Sequence, residues 1–67
     1  MPANKQINKG AAKYFKTLGY NQIAKDVMKV TNKEDFHRYM HVARSVAKKS
    51  PHYPAVVLTT KKLEELY

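Results

Sequence analysis

Apolar residues return every three or four positions along most of this chain, and lysines return at the same interval between them. Ile7, Ala11, Tyr14, Phe15 and Leu18 mark one apolar stripe and predict a first helix from about Asn8 to Leu18. Lys5, Lys9, Lys13 and Lys16 keep the same spacing on the other side. Gly19 follows directly and can take the left-handed conformation that closes a helix. Residues 1–6 read as a flexible basic tail.

A short second helix is expected over about Asn21 to Lys29, with Asn21 as N-cap. Ile23, Ala24, Val27 and Val30 form its stripe, and Lys25 and Lys29 point away from it. The third and longest helix should run from about Asn32 to Lys49. Thr31 with Glu34, or Asn32 with Asp35, has the spacing of an N-terminal capping box. Phe36, Tyr39, Met40, Ala43, Val46 and Ala47 make its apolar face, and Ser50-Pro51 ends it.

Beyond an extended connector at 52–54, Ala55-Val56-Val57-Leu58 reads as a short strand or buried extended segment. Thr59 would then cap a last helix through Leu66, with Leu58 and Leu63 stapled across the cap. A longer last helix starting at Pro54 is the alternative, and the β-branched residues among 56–60 weigh against it. A lone strand has no partner within the chain, so a homodimer would cover its edge. The expected fold is mostly α. It is one small domain over residues 1–67, with three or four helices, helix-turn-helix-like, and optionally a strand at 55–58. The expected core is Ile7, Phe15, Leu18, Ile23, Val27, Phe36, Met40, Ala43 and Ala47, covered on one side by Leu58, Leu63 and Leu66.

Composition narrows the function. The chain has 67 residues and no cysteine, which excludes disulfides and Cys-type zinc sites. No stretch is apolar enough to span a membrane, and no secretory signal opens the chain, so a cytoplasmic protein is expected. Thirteen Lys and Arg against five Asp and Glu give a net charge of +8, an imbalance that attracts polyanions.

Catalytic chemistry finds little support. His37 and His41 have metal-ligand spacing on the third helix, but Arg38 stands where the zinc-protease pattern needs Glu. Lys33, Arg44 and Lys48 on the same face would repel a cation. The two serines lie in no nucleophile-elbow context, and two glycines cannot build a phosphate loop. Neither an enzyme nor a cofactor is expected.

The cationic arc of the third helix is the strongest binding signal. Lys33, His37, His41, Arg44 and Lys48 share about a quarter of the helical wheel, flanked by Arg38, and are read as lying opposite the apolar face. Arg and His there could reach phosphates or base edges. Lys9, Lys13 and Lys16 would add an auxiliary stripe on the first helix. Tyr14, Tyr20 and Tyr53 could stack on bases or donate to phosphate, with core packing or partial exposure the expected fate of each. The short helix, the turn at Val30-Thr31-Asn32 and the long cationic helix have helix-turn-helix order. The run Ile23-Ala24-Lys25-Asp26-Val27 resembles the first helix of phage-repressor-type motifs. It departs from them in lacking the turn glycine and in placing Phe36 one position late. The expected function is therefore a small regulatory nucleic-acid-binding protein, with DNA favoured over RNA. The alternative is a phage-type inhibitor or interaction protein that binds an acidic surface of a larger protein or nucleoprotein complex.

Overall fold

A computed structural model describes residues 2–67, with side chains from Asn4 onward. Four helices follow one another: α1 (Pro2–Thr17), α2 (Asn21–Val27), α3 (Lys33–Ala47) and α4 (Tyr53–Leu66). The described residues contain no strand. α1 packs chiefly on α2, and α3 on α4, so the fold is two helical hairpins laid side by side.

The first connection is set by Gly19, at φ +87°. Its N–H donates to Lys16 O and the Tyr20 N–H to Phe15 O, at 3.0 and 2.9 Å. This pair of bonds satisfies carbonyls that the end of α1 would leave open, and the left-handed turn needs glycine. α2 begins without a side-chain cap, because Asn21 is its first helical residue and Tyr20 stands at the cap position. α3 uses the second of its two expected caps. Asn32 Oδ1 accepts from the Asp35 N–H at 2.8 Å, and Asn32 Nδ2 donates to Asp35 Oδ2 at 3.0 Å.

Two boundaries differ from the sequence expectation. α1 begins at Pro2 rather than near Asn8, so residues 2–6 are helical; Met1 lies outside the described residues. The reason is Asn8. Its amide is almost fully buried, and Nδ2 donates to Val30 O at 2.7 Å, pinning α1 to the α2–α3 connection. The second correction concerns residues 55–58, which are helical rather than extended. Val56, Thr60, Leu63 and Tyr67 follow a helical period, with Val56 and Thr60 fully buried. Pro54 falls in the first turn, where its missing N–H costs nothing. Thr60 Oγ1 donates back to Val56 O at 2.8 Å, which satisfies the buried hydroxyl. Packing on α3 thus overrides a weak β preference, and among the described residues no strand edge remains for a second copy to cover.

Phe15, Val27, Phe36, Met40, Ala43 and Ala47 are buried as expected, joined by Ala11, Ala12, Ala24, Val30 and Val56. Ile7, Ile23 and Leu63 pack against this cluster half-buried, and Leu18 is also half-buried. Leu58 and Leu66 do not cover it; they are 63% and 67% exposed, so the expected staple across Thr59 is absent. The alanines at 11, 12 and 24 put little bulk between α1 and α2, which therefore sit close. The Tyr67 ring stacks on Phe36 with centroids 4.3 Å apart. Tyr20 Oη and His52 Nε2, 2.9 Å apart, tie the α1–α2 connection to the α3–α4 connection.

Candidate polyanion interface

The cationic arc of α3 is not a free surface. Arg44 is mostly buried against α4, where Nη1 donates to Thr60 Oγ1 at 3.0 Å and to Glu64 Oε1. Glu64 Oε2 lies 3.1 Å from His37 Nδ1, while His37 Nε2 is buried without a partner. A ring carrying its proton on Nδ1 donates to Glu64 and fits this geometry. Arg38 is exposed but held by Asp35 at 2.9 Å, with its guanidinium 5.8 Å from the Tyr39 ring centroid.

Lys33, His41 and Lys48 stay exposed. Lys33 and Lys48 stand at opposite ends of the helix, roughly 22 Å apart along its axis. The arc was expected opposite the apolar face. It instead begins beside Met40 and Ala47, so α4 covers its middle. His37 and His41 do not form a metal pair either, since His37 turns to Glu64. Among the described residues no group of three or more His, Asp or Glu side chains is placed to hold a metal ion.

The other hairpin differs. Residues 1–30 carry Lys5, Lys9, Lys13, Lys16, Lys25 and Lys29 against a single acid, Asp26. All six lysines are exposed, and none forms an ion pair among the described residues. Asp26 is half-buried and accepts from Gln22 Nε2 at 3.0 Å. Lys9, Lys13 and Lys16 of α1 meet Lys25 of α2 across an open groove of about 560 Å³. Its floor is Ala12, Ala24 and Met28, and no acidic side chain lines it.

The structure therefore brings Lys9, Lys13 and Lys16 together and leaves the α3 residues dispersed. Sequence reading passed over Lys25 and Met28 as contributors to a site. The wheel of α2 places both on one flank, but only the crossing of α2 over α1 turns that flank toward the α1 lysines. Tyr14 and Tyr20 are half-buried against the core rather than free to stack, and Tyr53 is half-buried too. No helix among the described residues is long and apolar enough to cross a membrane.

No family model, no curated protein and no solved structure matches the chain.

Proposed function

We propose that this protein is a small nucleic-acid-binding module, with duplex DNA as its partner, that holds phosphates on the lysine face of α1 and α2. The supporting observation is the run of six exposed, unpaired lysines over residues 1–30 with no acid among the groove residues. Lys5, Lys9 and Lys13 are one turn apart, about 6 Å along the axis. That is close to the interval between successive phosphates of one strand. Neutralising those phosphates releases counterions, which drives association without reading bases.

Base recognition through α3 is not part of this proposal. Arg44 and His37, the side chains best suited to it by type, are engaged with Glu64. Such a protein acts on DNA by occupancy, and its affinity depends on charge more than on sequence.

The test is a binding titration on random duplex across a salt series. A steep loss of affinity with salt is expected. The double variant Lys9→Glu, Lys13→Glu should weaken binding strongly and flatten the slope. The matched pair Lys33→Glu, Lys48→Glu should do less. Absent or salt-independent binding would overturn the proposal.

A further inference from the structure

The lysine rim explains phosphate binding, but the floor of the α1–α2 groove does not. The phosphates that the lysines would hold are charged and gain nothing from an apolar floor. Met28 is 49% exposed at the end of α2, with Ala12 and Ala24 beneath it. Towards the N-terminus of α1 the groove continues into a second hollow of about 440 Å³, lined by Lys5, Gln6, Lys9 and again Met28. Lys9 and Met28 line both hollows, so one trough follows α1 from Lys5 to Lys16. That is about 16 Å, or three turns of helix.

We infer that this trough is a docking site for an acidic amphipathic helix of a partner protein. Such a helix lays apolar side chains, spaced at one-turn intervals, into a groove of matching length. Its anchors would cover Met28 and the two alanines. Its carboxylates would meet lysines on both walls, Lys9, Lys13 and Lys16 on one side and Lys25 on the other. Charge complementarity fixes the class of partner. With no acid on the rim, a basic or neutral helix would leave the lysines unpaired or repelled. A second copy of this chain is excluded as the occupant on the same ground, since its net charge is +8. The docking site shares its rim with the nucleic-acid proposal and is distinguished from it by the floor.

The probe is a designed helical peptide of about three turns, rich in Glu and Ala, with leucines at the one-turn positions. Its control carries serine in place of each leucine. Both are titrated against the full chain at low and high salt, alongside random duplex. The leucine peptide should bind at least about tenfold more tightly than the control and keep most of that advantage at high salt. Met28→Ser, at a half-exposed position that leaves the core intact, should weaken the leucine peptide about tenfold and the serine control much less.

Equal binding of the two peptides, or no effect of Met28→Ser, overturns the docking site, whatever the duplex does. A leucine-dependent, Met28-dependent complex upholds it. Should the duplex then fail to bind, the nucleic-acid proposal falls alone.

Discussion

Arg44 of α3 and Glu64 of α4 form an ion pair in which both side chains are about four-fifths buried, at 20% and 18% exposed. Glu64 also faces His37, so one carboxylate engages two of the side chains expected on a binding surface. A charge removed from water needs its partner, because an unpaired buried charge costs more than a hydrogen bond returns. Arg44→Ala and Glu64→Gln should each destabilise the fold by roughly 1.5–3 kcal/mol. In a domain of this size that lowers the melting temperature by about 6–24 °C. Thermal unfolding followed by circular dichroism checks it; an unchanged midpoint for both variants would mean the pair contributes nothing.

Asn8 gives a second prediction. Its Nδ2 is the donor that Val30 O uses, in a site with 3% of the residue exposed. Asn8→Ala strands that carbonyl and should cost about 1–3 kcal/mol. The amide protons of residues 4–8 should then exchange faster than those of α3, because the clamp holding the first turns of α1 is gone. Uniform loss of protection across all four helices would argue against this local role.

The two glycines should respond in opposite directions. A methyl group at Gly10 meets nothing within 4 Å, and the residue lies in the middle of α1. Gly10→Ala should therefore stabilise the protein by about 0.5–1 kcal/mol. Gly19 also has open space around it, but its φ of +87° disfavours any side chain. Gly19→Ala should destabilise by about 1–2 kcal/mol. Denaturant midpoints read both, and a shift of the same sign for both substitutions would contradict the backbone argument.

Phe36 and Leu58 separate core from surface. Phe36 is fully buried and stacked by Tyr67, whereas Leu58 is 63% exposed. Phe36→Ala should cost about 3–5 kcal/mol, a large share of the stability of so small a domain. Leu58→Ala should stay within about 0.5 kcal/mol of the parent. Comparable losses for the two variants would place Leu58 in the core, against the geometry.

Binding offers a matched comparison. Each of Lys9, Lys13 and Lys25 replaced by Ala should weaken duplex binding equally for all sequences and lower the salt slope by about one unit. Arg44→Ala should change affinity only as far as it changes folding, because its guanidinium faces α4. A sequence-dependent loss from Arg44→Ala in a folded variant would restore α3 as a reading helix.

The sequence by itself determined α1 to α3 and the second half of α4, the glycine that closes α1, the acidic first turn of α3 and the four buried side chains of α3, Phe36, Met40, Ala43 and Ala47. Periodicity carries that information, because burial of one face repeats with the helical turn. It also determined the charge excess and the absence of disulfides. Tertiary structure decided the rest. Whether 55–58 extends or coils depended on α3 lying beside Val56 and Thr60, since β-branched preference is weaker than packing. Whether Arg44 meets solvent or Glu64 depended on where α4 returns, 20 residues along the chain from Arg44 to Glu64. A helical wheel ranks the faces of one helix but does not say which neighbour covers them. For the same reason the lysines of α1 and α2 came to line one groove only when Ala12 and Ala24 let the two helices cross closely.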